Sequence, residues 1–214
     1  MNYLILQYPY NFIEIALCHN GSIIASAQED KLHAITRTVP LINKLLKNQN
    51  WSIQNIDFIG VNTGPGPYNT LRSLITTANG IHFAQNTPLI NLQAIDLLLS
   101  ESSTPSLAIL NAFANHVFYG FKTSTNNEQG YCSINTLITK INQHHEKLLL
   151  IGNAAQLHQT LLEEKAKKQI IFPNVSIPFN SLQTLAQHAY KKANLQEFAP
   201  SYLLPQYLQS PAIK

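Results

Sequence analysis

The stretch Ile56–Leu74, IDFIGVNTGPGPYNTLRSL, constrains the fold more than any other part of this 214-residue chain. Ile56–Asn62 reads as a buried strand, and a helical pattern begins at Tyr68 and runs to Gln85. Two Gly-Pro pairs join them. Strand-to-helix corners of this kind belong to α/β sheets, and many of them cradle phosphates. This corner lacks the usual phosphate motifs. Asn69 stands where a GxGxxG turn needs its third glycine, and no Gly-Lys-Ser/Thr follows. A phosphate cradle works through successive backbone N–H groups, and Pro65 and Pro67 each remove one. Pro67 suits the first turn of a helix, where a missing N–H costs little. The predicted role is a stiff corner, with Gly66 supplying a dihedral or close approach barred to larger residues.

Around that corner the chain divides into two similar α/β stretches. Strand patterns occur at Tyr3–Leu6, Phe12–His19 and Ser22–Gln28, the last two separated by Asn20-Gly21, a tight-hairpin signal. Lys31–Lys47 changes to helical period, with Pro40 inside it predicting a kink or break. PLINL (Pro88–Leu92) reads as a strand and Ala94–Leu99 as a helix. Ser100–Ser106, polar and punctuated by Pro105, is the internal boundary, giving domains 1–103 and 104–214. Beyond it, Leu107–Phe113 and His116–Thr123 read as strands, Ile134–His144 as a helix and Lys147–Asn153 as a strand. A helix over Ala154–Lys168, a short strand over Gln169–Pro173 and a helix over Phe179–Leu195 complete the pattern, with a surface loop at Thr123–Tyr131. Two units of about 100 residues each fit this order.

Catalytic signatures are sparse. HExxH fails because Leu149 stands where the second His belongs, and HxxxH fails at Arg37, four residues past His33. No GxSxG elbow occurs, and Cys18 and Cys132 lie far apart without CxxC spacing. The aspartates are Asp30, Asp57 and Asp96, of which only Asp30 comes near the carboxyl end of a strand. A magnesium–nucleotide site needs hard oxygen ligands there, yet the leading strands of the two halves end in the neutral Gln7 and Asn111. No metal or cofactor is expected.

Composition narrows the partners. Charged residues make up 12%, about half the usual share of a soluble chain. A weakly charged exterior suits a subunit that works against other proteins, although compositional bias gives the same result. The formal charge of +3 is spread out. Its densest patches, Glu163–Lys168 and Tyr190–Lys192, read as solvated helix faces in preference to nucleic-acid contacts. No run reaches the roughly 18 apolar residues of a membrane span. The opening MNYLILQYPY lacks the basic start and long apolar segment of a signal peptide, so a cytoplasmic location is expected.

The motif and the order of elements resemble one family. GPGPYNTLR is similar to the GPGSFTGLR signature of TsaB (YeaZ-like) proteins, the dimerisation subunits of bacterial tRNA threonylcarbamoyladenosine synthesis. LHAITRTVPLINKLL resembles that family's first helix, in which a His, here His33, precedes a Leu-Pro-rich stretch. LNAFANHVFYGF, LLLIGNAA and PSYLL are similar to later family segments, so the resemblance covers roughly residues 3–205. The chain departs from the pattern at Gln7, Pro67, Asn69, Thr70, Asn111 and Leu204. The resemblance implies an actin/hexokinase-like fold of two ribonuclease H-like halves, mixed sheets flanked by helices. It also implies a non-catalytic subunit that pairs with its paralogue TsaD, the threonylcarbamoyl transferase, and works with the ATPase TsaE, meeting tRNA only indirectly. A homodimer of the isolated chain is compatible with it. The competing reading is a divergent ATPase of this fold or a glycoprotease-type peptidase.

In this family the helix after the signature and the long helix before it bundle with the partner. The expected interface and motif residues are therefore His33, Gly64, Pro65, Gly66, Leu71, Arg72, Ile75 and Ala78. Leu71, Ile75 and Ala78 form one stripe, and Ser73, Thr76, Thr77 and Gly80 are small enough for close helix approach. Arg72, the single formal charge on that helix, either pairs within the fold or reaches the partner or its nucleotide.

Overall fold

A computed structural model of the chain describes residues 1–124, 127–166 and 168–208. Two five-stranded sheets share one plan. Strands β1 (Asn2–Gln7), β2 (Phe12–His19), β3 (Ser22–Asp30), β4 (Phe58–Asn62) and β5 (Leu89–Leu92) are ordered β3-β2-β1-β4-β5. Strands β6 (Ser106–Asn111), β7 (His116–Lys122), β8 (Gln129–Ser133), β9 (Leu148–Ile151) and β10 (Ile170–Ile171) repeat that order as β8-β7-β6-β9-β10. In each sheet the three leading strands pair antiparallel, and the two later strands add in parallel beyond the first. Helices precede the added parallel strands: α1 (Ala34–Asn48) and α2 (Tyr68–Gln85) in the first half, α4 (Ile134–Gln143), α5 (Asn153–Leu157) and α6 (Gln159–Ala166) in the second. These are two ribonuclease H-like halves.

The first sheet is covered on both faces, which is why β1 reads as a continuous apolar run. Leu4, Leu6, Ile15, Leu17, Ile59 and Val61 form one buried cluster with the inner stripes of α1 and α2. On the other face lies α7 (Leu182–Asn194), capped by Ser181, which accepts from the Thr184 amide. Tyr3 stacks on Phe58 at 4.4 Å, and its hydroxyl donates to the Ala186 carbonyl at 2.9 Å. In the second unit Leu107, Ile109, Val117 and Phe121 pack with α4, α5 and α6.

The compact units are Met1–Gln93 with Ser181–Gln206, and a second unit built on Ala94–Asn180. A linear cut at residues 103/104 differs from this division twice. Helix α3 (Ala94–Ser100) packs on β6 and β7, and Gly120 leaves room for it: a Cβ there would stand 2.3 Å from Ile95. Helix α7 returns to the first sheet, where small Ala186 and Ala189 permit close packing.

Three local expectations also change. The helix around Pro40 is continuous, because its buried stripe from Ala34 to Leu46 holds both halves on the sheet while Thr36 and Pro40 face water. Of the predicted loop 123–131, residues 125 and 126 lie outside the described residues, and Gln129–Tyr131 belong to β8. Pairing with β7 makes that stretch a strand despite its weak propensity. The helix expected over 154–168 divides at His158, with Lys167 outside the described residues. Backbone bonds from His158 to Ala154 and from Leu162 to His158 still bridge the division.

Candidate functional site

The corner after β4 is held from three sides. The Asn62 side chain accepts from the Gly64 amide at 3.0 Å, and the Thr63 amide donates to the Leu92 carbonyl at 2.8 Å. The Thr63 hydroxyl donates to the Asn91 side chain, and the Thr63 carbonyl accepts from the Gln206 amide at 2.9 Å. The Gly64–Pro65 peptide is cis, and Pro67 caps α2. Among residues 64–67, two lack an N–H and Gly64 has already used its own, so Gly66 alone could face an anion. Residues 64–67 by themselves therefore do not supply the row of successive donors of a phosphate cradle; the unpaired amides that follow belong to the first turn of α2.

The glycine that matters is Gly64, not Gly66 as the sequence predicts. Gly64 has φ +108°, and a Cβ on it would lie 2.8 Å from Leu71 Cδ2. Nothing stands within 4 Å of a Cβ on Gly66. Close packing of the corner against the first turn of α2 fixes where that helix starts.

At the end of β1, buried Gln7 donates from Nε2 to Glu14 Oε2 at 2.6 Å. Burial raises the Glu14 carboxyl above its usual range, and the Gln7 bond partly offsets this. Glu14 is a residue the sequence reading missed. The signal was a lone acid inside the apolar run FIEIALC, directly opposite Gln7 in the β1–β2 register. In the second unit the Asn111 amide donates to Asn153 Oδ1, and Asn111 Oδ1 accepts from the Phe113 amide, both at 2.9 Å. Gln7 and Asn111 are thus engaged in local bonds. Among the described residues no group of three His, Cys, Asp or Glu side chains is placed to hold a metal ion, and no helix is long and apolar enough to cross a membrane.

The two helices beside the corner carry the more unusual surface. Leu71, Ile75 and Ala78 lie in the core of their own unit, Ala78 being 0% exposed. They are packing residues, because that stripe of α2 is the one that meets the sheet. His33 is exposed at the start of α1 and makes no side-chain cap. Arg72 is exposed. Its Nη1 donates to the Tyr68 hydroxyl at 3.0 Å, and its guanidinium lies 4.7 Å from that ring's centre. Among polar and basic neighbours, α1 and α2 also expose large apolar side chains: Ile35 is 57% exposed, Val39 59% and Phe83 89%. Between the helices runs a groove of about 640 Å³, lined by Val39, Leu46, Trp51, Gly80, Ile81 and Ala84 among others. Of the α2 residues read from the sequence, Leu71, Ile75 and Ala78 are buried in their own unit, while Thr77 and Gly80, read as small enough for close helix approach, line the groove. Phe83 escaped notice because one aromatic near a helix end is an ordinary sight.

Comparison with known proteins follows the same lines. The family described as TsaD, tRNA N6-adenosine threonylcarbamoyltransferase, matches residues 28–203. The tRNA threonylcarbamoyladenosine biosynthesis protein TsaB of Buchnera aphidicola subsp. Schizaphis graminum is 22% identical over 178 residues, covering 75% of this chain and 84% of its own. The solved structure of YeaZ from Pseudomonas aeruginosa has TM-score 0.73 at 18% identity, covering 97% of this chain and 99% of its own. The activator of 2-hydroxyisocaproyl-CoA dehydratase from Clostridium difficile, solved with bound ADPNP, has TM-score 0.51 at 10% identity, covering 92% and 97%. The fold is therefore the actin/hexokinase-like one. The chain belongs to the TsaD family, on its TsaB (YeaZ-like) branch.

Proposed function

We propose that this chain is a non-catalytic subunit of tRNA threonylcarbamoyladenosine synthesis that binds a TsaD-like paralogue through the outward faces of α1 and α2. The observation that carries the reading is the apolar groove between those helices, lined by exposed Val39, together with the exposed Phe83 elsewhere on α2. Burying such a side chain contributes about 1.5–3 kcal/mol, and aromatic anchors of this kind dominate many interfaces. The strand ends support the non-catalytic half of the reading. Gln7 and Asn111 are neutral and hydrogen-bonded within their own units, and residues 64–67 keep only the Gly66 amide as an uncommitted backbone donor. In this scheme the paralogue carries out the transfer, a TsaE-like ATPase joins the complex, tRNA is met only indirectly, and the assembly works in the cytoplasm.

The test is co-purification with the TsaD-like paralogue of the same organism. Phe83→Asp is expected to keep the fold and lose the complex. Ala78→Arg is expected to lose the fold itself, because its site is closed. A complex that survives Phe83→Asp combined with Val39→Asp contradicts the docking face. ATP turnover by the purified chain alone would sink the non-catalytic reading.

A further inference from the structure

The second unit holds a cavity of its own. It measures about 220 Å³ and is lined by Asp96 and Leu99 of α3, Phe121 and Lys122 of β7, and Asn127 and Gln129. Pockets of drug or cofactor size run to roughly 300–1,000 Å³, so this one suits a smaller metabolite. Its lining carries both signs of charge. The Lys122 ammonium donates to the Ser102 carbonyl at 2.7 Å and to the Leu99 carbonyl at 3.2 Å, which ties it to the end of α3. Those bonds use two of its three N–H groups. Asp96 Oδ1 accepts from Gln129 Nε2, and Asp96 Oδ2 has no partner among the described residues. Asp96 and Lys122 do not pair with each other; the ion pair found among the described residues is Lys140–Glu128. Opposite charges lining one cavity gain by closing on each other, yet each of these is held by a neighbour of its own. The pairing of β7 with β8 and the packing of α3 on β7 fix both anchors.

A carboxylate and an ammonium kept apart in one small cavity are complementary to a ligand that carries the same two charges in reverse. We propose that this cavity binds a small zwitterion, a free α-amino acid, with the ligand's ammonium on Asp96 and its carboxylate on Lys122. Buried Leu99 and Phe121 supply the apolar part of the lining for a side chain, and the Asn127 amide adds a donor and an acceptor. A simple anion would also meet Asp96 and a simple cation would also meet Lys122, so neither matches the whole site. Charge-assisted hydrogen bonds at both ends are the strong kind. Because Asp96 and Lys122 are already held by Gln129 and by the end of α3, less ordering is left to the ligand. This binding does not depend on docking through α1 and α2.

The experiment titrates the full chain with L-alanine, L-threonine and L-leucine, and with N-acetyl-L-threonine and L-threoninamide, each of which lacks one of the two charges. Binding is followed by calorimetry and by the NMR shifts of the Asn127 and Gln129 side-chain amides. At least one free amino acid should bind in the millimolar range or tighter and move both signals. Removing either ligand charge should weaken binding about tenfold or more. Asp96→Asn, isosteric and at an exposed position, should weaken the free amino acid by a similar factor and leave the acetylated one unchanged. Lys122→Met should weaken the free amino acid and leave the amide unchanged. Because Lys122 also holds the end of α3, circular dichroism checks that variant, and Asp96→Asn carries the test if it unfolds. No binding by any of the three amino acids overturns the proposal. So does binding indifferent to the loss of either ligand charge, binding unchanged in Asp96→Asn, or binding that leaves the Asn127 and Gln129 signals in place.

Discussion

Replacing Gly64 and Gly66 separately by alanine tests how the corner after β4 is built. At Gly64 the backbone has φ +108°, which costs an L-residue about 1–2 kcal/mol. The new Cβ would stand 2.8 Å from Leu71 Cδ2. Because that atom is the end of a flexible but buried side chain, overpacking adds about 1 kcal/mol more. The sum, about 2–3 kcal/mol, is a large share of a typical total of roughly 5–15 kcal/mol. At Gly66 a Cβ meets nothing within 4 Å, and alanine should change stability by less than about 0.5 kcal/mol. Trp51, the single tryptophan, packs against the core of the first unit, so its fluorescence in a urea titration reports on that unit. Gly64→Ala should lower the midpoint by about 1 M urea and Gly66→Ala should leave it in place. If Gly66→Ala is the more damaging change, the assignment of the corner's tight glycine is wrong.

Gly152→Ala should be worse than Gly64→Ala, costing about 4 kcal/mol or more, because φ is +101° and the new Cβ would meet the immovable Ile109 carbonyl at 2.1 Å. Hydrogen exchange of the β6 and β9 amides would show it as loss of protection in the second unit. Glu14 has its folded pKa raised by burial, so its ionisation costs stability as pH rises above the ordinary carboxylate value and the full cost stands above the folded value. Glu14→Gln should therefore stabilise the first unit at pH 7, with the gain vanishing below about pH 4 in denaturation curves. Asn79 clamps the C-terminal segment, donating to the Leu203 carbonyl at 2.9 Å and accepting from its amide at 2.8 Å. Asn79→Ala should release that segment at a cost of about 1–3 kcal/mol, read as faster proteolysis around residues 200–206.

The sheets were legible because strand and helix periods differ and because Asn20-Gly21 marks its own turn, at φ +46° and +86°. What was not legible depends on which neighbour a stripe meets. Periodicity finds the apolar stripe of α2 at Leu71, Ile75 and Ala78 but cannot say whether its own sheet or another protein covers it. The sheet covers it, and exposure at Phe83, Val39 and Ile35 was needed to locate the outward face. Likewise α7 reads as the last helix of the second half, yet the small residues on its inner stripe fit the first sheet. Both glycines of the corner look alike in the sequence. Only the path of the chain past Leu71 distinguishes them. The absence of a phosphate motif, by contrast, follows from Pro65 and Pro67 themselves and needed no coordinates.

The most direct measurement of the central claim is site-specific photo-crosslinking of the chain to its TsaD-like paralogue. A photoreactive phenylalanine analogue at residue 83, on the exposed side of α2, is compared with one at exposed Leu157 in the second unit. The account predicts a crosslinked heterodimer from residue 83 and none from residue 157. Crosslinking from residue 157 alone, or from neither position while the complex still forms, would contradict docking through α1 and α2.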